Sequence, residues 1–296
     1  MPRAERAVAA AAALLLCAAC GRLERGRSAA ARGDSARIVC VSKQINEFMF
    51  AIGGQDRLVG VDLSSVYPPA IRDLPTVGYH RSLSAEGILS LNPTLFLTDG
   101  NVGPDAVLDQ IRKVGLPIEV IRPGSTLDSA QLLLERLGRE FGHREVADSV
   151  LAEWKAGMEA VGRDTARWAG PDGRERPRVL LVHFGRIIND YLAVNGGPAA
   201  DMVRWAGGRM ALDSAGRMTR LTPELMAKTA PDVIIATDFG FDRFGSVKAF
   251  GNMPGVALTP AGRNGRIYRI QETQVMYFGP RTPETVRQIA RMLHPS

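Results

Sequence analysis

One segment of the chain recurs in altered form 138 residues further on. The two copies, LSAEGILSLNPTLFLT (83–98) and LTPELMAKTAPDVIIA (221–236), match without a gap, with leucine, hydroxyl residue, glutamate and proline in register. An amphipathic segment that ends in two glycines precedes each copy, at 48–54 and at 202–208. A common helix-loop-strand unit can produce one such match by chance, but two similar lobes explain both matches together.

Short β-rich runs alternate with helical stretches along the body of the chain. We predict strands at 37–42, 58–61, 94–98, 117–121, 178–183, 191–194, 232–237 and 266–270. Residues 143–168 lack proline and predict one helix, about 39 Å long at a rise of 1.5 Å per residue. Its predicted apolar face carries Val146, Val150, Trp154, Met158 and Val161.

These patterns predict an α/β fold of two Rossmann-like lobes with mainly parallel sheets, joined by one long backbone helix, with a ligand cleft between the lobes. The predicted boundaries are a signal peptide at 1–19, a lipidated flexible tether at 20–36, an N-terminal lobe at 37–142, the connecting helix at 143–168 and a C-terminal lobe at 177–296. Because the lobes share one helical connection, we expect no wide hinge closure.

The first residues have the pattern of an export signal. Two arginines precede the short apolar run AVAAAAALLL (7–16), and the small residues CAA lead to Cys20. This site resembles a bacterial lipoprotein processing site, although Cys17 stands where leucine is usual, and it predicts that Cys20 carries lipid. The alternative is an ordinary cleaved signal that leaves Cys20 as a stray thiol. Cys40 lies in the strand-like run RIVCVS and is expected to be a buried, inert thiol.

Composition and motifs exclude several classes of function. The net charge of +6 comes from bases and acids mixed throughout, without the clustered basic patch that nucleic-acid binding requires. The sequence has no phosphate loop, no GxSxG and no HExxH, and beyond the predicted export signal it has no CxxC metal pair. We therefore expect a protein that is not an enzyme and has no catalytic cofactor. An exported α/β enzyme that uses cleft carboxylates is the alternative from another class.

Four stretches carry a resemblance to a known family. They are VGYHRSLSAEGILSLNPT (77–94), YPP (67–69), LTPAGRNGR (258–266) and FGPRTPE (278–284). From about residue 37 to residue 294 the chain resembles the haem-binding members of the rigid class of ABC-importer substrate-binding proteins, which also serves vitamin B12 and siderophores. The resemblance implies extracytoplasmic binding of ferric haem b and its delivery to the permease of an ABC importer. The same fold with a ferric siderophore or cobalamin as ligand is the nearest alternative.

The first of these stretches implies that Tyr79 binds the haem iron. A phenolate is a hard anionic donor that favours ferric iron, and tyrosine is an established haem ligand. Arg81 is expected to stabilise the phenolate. Because neighbouring residues of an extended chain alternate sides, His80 is expected to point away from the ligand of Tyr79, as an indirect neighbour of the haem or an exposed residue. Without the motif, Tyr79 reads as a surface loop tyrosine.

The remaining site residues follow from the same resemblance. His183, at the end of a predicted strand, is a candidate second iron ligand, or else a histidine bonded to backbone. Haem propionates are expected to pair with arginines, for which the candidates are Arg81, Arg186 and Arg281. Arg186 reads more simply as a surface residue. Porphyrin walls or core residues are expected at Phe184, Phe239, Phe241 and Met276.

Glu86 and Glu224 occupy the same place in the two copies of the repeat. Each follows a helix N-cap, Ser84 or Thr222, where a carboxylate complements the helix dipole. The resemblance implies that these two glutamates dock the permease, and both roles are compatible. We thus expect a protein of the periplasm or cell envelope, anchored to the membrane through Cys20, that binds haem and permease subunits and no nucleic acid.

Overall fold

The computed structural model describes residues 35–166, 176–184, 191–212 and 216–295. The predicted signal peptide and lipid site at Cys20 lie outside these residues, as does Arg186. The chain divides into two compact units, one made of the described part of Met1–Arg122 with Leu137–Arg144, the other of Pro123–Arg136 with Glu145 onward. Each unit has its own sheet, as the predicted α/β fold requires, while the predicted domain boundaries and cleft stay predictions.

The first unit is built on a four-stranded parallel sheet in the order β2-β1-β5-β6. Its strands and helices are β1 (Ile38–Val41), α1 (Lys43–Ala51), β2 (Leu58–Val61), β3 (Gly78–Tyr79), β4 (Ser82–Leu83), α2 (Ala85–Leu89), β5 (Leu95–Thr98), α3 (Asp105–Lys113) and β6 (Ile118–Val120). The central strands β1 and β5 are buried along their whole length. Strands that are covered on both faces consist of continuous apolar residues, which explains why these strands could be predicted from the sequence.

Two long helices follow, α4 (Leu127–Glu140) and α5 (Arg144–Thr165). The second unit then contains β7 (Arg178–Phe184), β8 (Tyr191–Val194), α6 (Pro198–Trp205), β9 (Arg209–Met210), β10 (Met218–Leu221), α7 (Pro223–Thr229), β11 (Val233–Thr237), α8 (Asp238–Phe241), α9 (Val247–Gly251), α10 (Pro260–Arg263), β12 (Ile267–Ile270), α11 (Glu272–Val275) and α12 (Thr282–Leu293). Its sheet runs in the order β10-β8-β7-β11-β12, with β9 beside β7. Strands β7, β9, β11 and β12 are parallel, and the hairpin partners β8 and β10 are antiparallel, so this sheet is mixed.

The two copies of the sequence repeat adopt the same local structure. Ser84 caps α2 by accepting the Gly87 N–H, and Thr222 caps α7 by accepting the Leu225 N–H. Asn92 and Ala230, which are equivalent in the repeat, both take a left-handed conformation, with φ of 48° and 42°. This backbone reversal sends the chain from the helix into β5 in one unit and into β11 in the other.

Each copy also joins its sheet through the same backbone contact. The Thr94 N–H donates to the Arg37 carbonyl oxygen at 2.8 Å, and the equivalent Asp232 N–H donates to the Arg178 carbonyl oxygen at 2.9 Å. Both acceptors stand directly at the start of a central strand, β1 or β7. The repeat is therefore a helix-turn-strand unit that docks on a central strand in each half of the chain.

The long helix α5 buries a face that differs in part from the predicted one. Trp154 and Val161 are buried as expected, but Val146 is 45% exposed. Ala147 and Leu151 are buried instead, so the buried face of α5 begins at Ala147, one residue after the predicted Val146. Small alanine carries little weight in a hydrophobicity pattern, which explains the shift.

Substitution of two glycines of α5 tests the packing of this helix against α12. Gly162 faces open space, whereas a Cβ on Gly157 would lie 2.9 Å from Cγ of Pro283. We expect Gly162→Ala to raise the free energy of unfolding by about 0.5–1 kcal/mol, because alanine restricts the unfolded chain and favours helix. Gly157→Ala should lower it by about 1–2 kcal/mol, since the rigid proline ring must move. Urea unfolding of chains that begin at Ser28 measures both, and equal stabilisation by the two variants would contradict the packing.

Candidate functional site

A two-stranded hairpin carries Tyr79, the predicted iron ligand. Tyr79 of β3 pairs with Ser82 of β4, and His80 and Arg81 form the turn between them. Gly78 precedes Tyr79 with a φ of +101°, a region that residues with a side chain rarely adopt. A Cβ there would also lie 3.0 Å from the Ser82 carbonyl oxygen, so this hairpin requires glycine before the tyrosine.

Two loops hold the hairpin beside the carboxyl ends of β2 and β5. The Leu63 N–H, just after β2, donates to the Gly78 carbonyl oxygen at 2.9 Å. The Gly103 N–H, in the loop after β5, donates to the His80 carbonyl oxygen at 2.9 Å. Ligands of open α/β sheets bind outside the carboxyl ends of the strands. Tyr79 thus lies at the edge of the first sheet where a ligand is expected.

The rings of Tyr79 and His80 face each other. Their centroids are 4.1 Å apart, with an angle of 50° between the ring planes. The strand alternation on which the expected orientation of His80 rested does not apply, because Tyr79 ends β3 and His80 already belongs to the turn. That His80 points away from the ligand of Tyr79 stays a prediction. Both residues are half-buried, and only 14% of the His80 side chain is exposed. His80 is therefore a packing neighbour of the tyrosine ring.

A buried carboxylate organises the loop beneath these rings. Asp62 is 1% exposed and accepts hydrogen bonds from the Ser64 N–H at 3.0 Å, from the Ser65 hydroxyl at 2.6 Å and from the Ser64 hydroxyl. The Asn46 side-chain amide donates to the Ser65 oxygen at 2.9 Å. On the other side, the Ser64 oxygen lies 3.1 Å from Nδ1 of His80. Sequence reasoning missed this cluster; the short D-x-S-S spacing, typical of a side-chain-stabilised turn, was its only signal.

The surroundings of His80 favour its neutral form. Burial lowers the pKa of His80, opposed by the nearby Asp62 carboxylate and reinforced by the cations Lys43 and Arg81. The Asp62 oxygen is 3.8 Å from Nδ1, too far for a direct hydrogen bond, so Ser64 stands between the two. An uncharged imidazole is the form that packs against a tyrosine ring without carrying charge into the site.

Arg81 is exposed and its guanidinium donates to the Asn101 side-chain oxygen at 2.6 Å. Asn101 follows β5 and its N–H donates to the Asp99 carboxylate at 2.8 Å. The arginine thus links the hairpin to the loop at the carboxyl end of β5. Its predicted contact with a haem propionate stays a prediction.

In the second unit, His183 lies one residue before the end of β7. Its Nδ1 is 3.1 Å from the hydroxyl oxygen of Thr237, the last residue of the neighbouring strand β11. One partner of the His183 ring is thus a side chain at the end of the adjacent strand, and His183 also lies at a carboxyl edge of a parallel strand pair. The Arg281 guanidinium donates to Gln271 at 3.1 Å and to Thr273 at 3.2 Å, which ties the start of α12 to α11.

The aromatic residues proposed as porphyrin walls have different environments. Phe184 and Phe241 are 6% and 5% exposed and belong to the core of the second unit. Phe239 is 52% exposed, with the Arg243 guanidinium 5.2 Å from its ring centre. Met276 is half-buried. For Phe184 and Phe241 the role of core residue is therefore the correct one.

Glu86 and Glu224 are both exposed in the first turn of a short helix, α2 or α7. Hydrogen bonds from its own N–H and from the Thr222 hydroxyl lower the pKa of Glu224. An ionised carboxylate at this position complements the positive end of the helix. Each unit thus presents one glutamate in solvent at an equivalent place of the repeat.

The described residues contain neither a candidate metal-binding group nor a candidate membrane span. Among them, no three His, Cys, Asp or Glu side chains form a group that could hold a metal ion. Within the same ranges, no helix combines the length and the hydropathy that crossing a bilayer requires.

The lowered pKa of His80 predicts a pH dependence of stability. The unfolded chain takes up the proton near pH 6.5, whereas the folded protein takes it up only at lower pH. As the pH falls below about 6.5 the unfolded state binds more protons, so folding stability is lost. We expect His80→Asn to flatten the fall in unfolding free energy between about pH 7.5 and pH 5, measured by urea unfolding. Parallel curves for both proteins would contradict the environment described for His80.

Solved structures of known proteins resemble this chain over most of its length. The periplasmic haem-binding protein RhuT from Roseiflexus sp. RS-1, in apo form, is 35% identical, with a TM-score of 0.77 over 88% of this chain and 98% of that one. The periplasmic haem-binding protein BhuT, in complex with two haems, is 31% identical, with a TM-score of 0.76 over 88% of this chain and 99% of that one.

Curated relatives and a family profile agree with this likeness. An uncharacterized ABC transporter substrate-binding lipoprotein of Bacillus subtilis, YvrC, is 22% identical over 88% of this chain and 80% of its own. A vitamin B12-binding protein of Yersinia pestis is 29% identical over half of each chain. The sequence profile of the periplasmic binding proteins matches residues 38–273. The chain belongs to the periplasmic binding protein family.

Proposed function

We propose that this protein binds ferric haem outside the cytoplasm and delivers it to an ABC-type importer. The observation that carries the proposal is Tyr79, presented on a rigid hairpin at the carboxyl edge of the first sheet. Two relatives above 30% identity that are nearly fully covered by this chain are named as periplasmic haem-binding proteins. Their names support haem as the ligand class.

The chemistry of Tyr79 suits capture of ferric haem. A free tyrosine loses its proton near pH 10, so ligation at neutral pH requires that the iron itself favour the phenolate. Ferric iron, a hard and highly charged acceptor, does so, and the phenolate in turn keeps the iron ferric. Because backbone hydrogen bonds fix the hairpin at Gly78 and His80, little reorganisation is needed when the haem binds.

His183 is the candidate for a second ligand. A ligating histidine commonly bonds its other ring nitrogen to a neighbouring group, which fixes the ring, and Thr237 provides such a partner at 3.1 Å. The same contact serves equally a histidine that only closes the end of β7. Arg81 and Arg281 donate to Asn101, Gln271 and Thr273, but a guanidinium has five N–H groups, so pairing with a propionate does not require these hydrogen bonds to break.

A cobalamin or a ferric siderophore is the second candidate ligand. The half-length match to a vitamin B12-binding protein is the observation that supports cobalamin. Such ligands need no protein phenolate, whereas haem gives Tyr79 a direct role. We further propose that the protein binds and releases its ligand without transforming it, which separates it from an exported enzyme that uses cleft carboxylates.

Membrane attachment through a lipid on Cys20 completes the proposal. The sequence around Cys20 supports it, as does the word lipoprotein in the name of the B. subtilis relative. Glu86 and Glu224 would then meet the permease, one from each unit, because both are exposed at equivalent helix starts. Acidic residues of one protein that face basic residues of its partner steer and orient a transient complex.

An absorption titration with ferric haem tests the ligand. We expect a saturable complex with a high-spin ferric phenolate spectrum for the chain that begins at Ser28. Tyr79→Phe should lose this spectrum and weaken binding by at least about tenfold, because the iron loses its anionic ligand. Tyr268→Phe, which removes the hydroxyl of a half-buried tyrosine of β12, should leave spectrum and affinity unchanged.

Three results of the titration would change the assignment. Binding that survives in Tyr79→Phe and is lost in His183→Ala transfers the ligand role to the second unit. Equal loss in Tyr79→Phe and Tyr268→Phe points to general damage by tyrosine substitution. A native protein that binds no haem overturns the haem proposal, and titrations with cobalamin and a ferric siderophore then decide between the remaining ligands.

Charge reversal tests the docking glutamates. We expect Glu86→Arg and Glu224→Arg to keep haem affinity but to lower importer-dependent haem uptake by vesicles at least several-fold, since the introduced arginines would repel the permease arginines with which the glutamates would pair. Asp105→Arg and Glu284→Arg reverse exposed first-turn acids of other helices, α3 and α12, and should leave uptake unchanged. Loss of uptake in all four variants would show a general effect of charge rather than two docking points.

A further inference from the structure

The cluster at Asp62 contains one connection that the fold of the loop does not need. Asp62 accepts the Ser64 N–H and the Ser65 hydroxyl, and Ser65 is held by Asn46 of α1. These contacts already satisfy the carboxylate and fix the turn after β2. The Ser64 hydroxyl instead joins the carboxylate to His80, sixteen residues further along the chain.

The direction of these hydrogen bonds determines which ring nitrogen of neutral His80 carries the proton. The Ser64 hydroxyl donates its single proton to a carboxylate oxygen of Asp62. The Ser64 oxygen is then left with lone pairs alone and must accept from Nδ1 of His80. Neutral His80 therefore has its proton on Nδ1, and its Nε2 carries the lone pair.

The same connection fixes the position of the imidazole ring. The His80 carbonyl oxygen accepts the Gly103 N–H at 2.9 Å, which anchors the backbone, and Ser64 anchors the ring edge at 3.1 Å. With both ends held, the ring forms a wall at 4.1 Å from the Tyr79 ring. A phenol ring with a fixed wall on one side has fewer rotamers open to it, so its oxygen is presented in one direction.

We infer that Asp62 acts through Ser64 to fix His80 in the Nδ1-protonated tautomer and against the ring of Tyr79, which makes the three residues positioning residues for the iron-binding phenol. The inference deepens the proposed function and rests on it for the role of Tyr79. Of these four residues only Tyr79 would contact the iron; Asp62, Ser64 and His80 would act on the direction in which its oxygen points. A tyrosine side chain that is already oriented loses less rotamer freedom when it binds the haem iron.

The tautomer is tested without haem. In the ligand-free chain at about pH 8, where histidine is neutral, ring ¹⁵N–¹H spectra should show Nδ1 of His80 protonated and Nε2 unprotonated. Ser64→Ala should abolish this signature, because Nδ1 loses its acceptor, and Ser64→Thr should restore it through the threonine hydroxyl. Ser65→Ala is the matched variant, since Ser65 binds the same carboxylate but contacts Asn46 instead of His80. It should keep the His80 signature.

The positioning of Tyr79 is tested in the ferric-haem complex. We expect Ser64→Ala and His80→Ala to raise the haem dissociation rate by roughly two- to tenfold, the range that loss of one hydrogen bond produces. Both should broaden the phenolate charge-transfer band, which reports the orientation of the phenolate at the iron and does not respond to a change in folding stability alone. Ser64→Thr should restore the native rate and band.

Each outcome separates the inference from the proposed function. A His80 ring spectrum that Ser64→Ala leaves unchanged, or that shows Nε2 protonated in the native chain, overturns the connection through Ser64. A changed ring spectrum with unchanged band and dissociation rate overturns the positioning of Tyr79. If the native chain binds no haem while the ring spectrum is as expected, the proposed function fails and the tautomer stands.

Discussion

Parallel pairing of strands around β1 is the constraint on which the candidate site depends. Because β2 and β5 both run parallel to β1, their carboxyl ends meet at one edge of the sheet. The loop after β2 supplies Asp62 and Leu63, and the loop after β5 supplies Gly103. The hairpin of Tyr79 bonds to both loops, so the position of the phenol follows from the topology of the sheet and from very few side chains.

Much of the fold follows from the sequence because the main strands are buried on both faces. The eight predicted strands all occur, within one or two residues of their predicted ends. Strands β3, β4 and β9, of two residues each, and the partly exposed β10 were missed, since two residues have no periodicity and an edge strand carries few apolar side chains. The antiparallel β8 and β10 make the second sheet mixed, while its other four strands are parallel, in agreement with the expectation of mainly parallel sheets.

Only part of the candidate site could be predicted from the sequence, for a physical reason. Tyr79 stands in a motif of consecutive residues, so its local pattern indicates it. Asp62, Ser64 and His80 form their cluster only after the sheet brings two separate loops together, and no short pattern encodes that contact. The contact between the rings of His80 and Tyr79 was missed for a similar reason, because a turn of two residues stands where strand alternation assumed extended chain.

The burial of Cys40 has a practical consequence. This thiol lies in the centre of the first sheet with no exposed surface, and burial, with the carboxylates of Asp62 and Asp99, raises its pKa well above the usual value. A thiol without access to solvent and without thiolate character does not react with maleimides or iodoacetamides. In a chain that begins at Ser28 it is the one cysteine left. A single cysteine introduced on either unit would therefore take a fluorophore or spin label by itself, without replacing any native residue first.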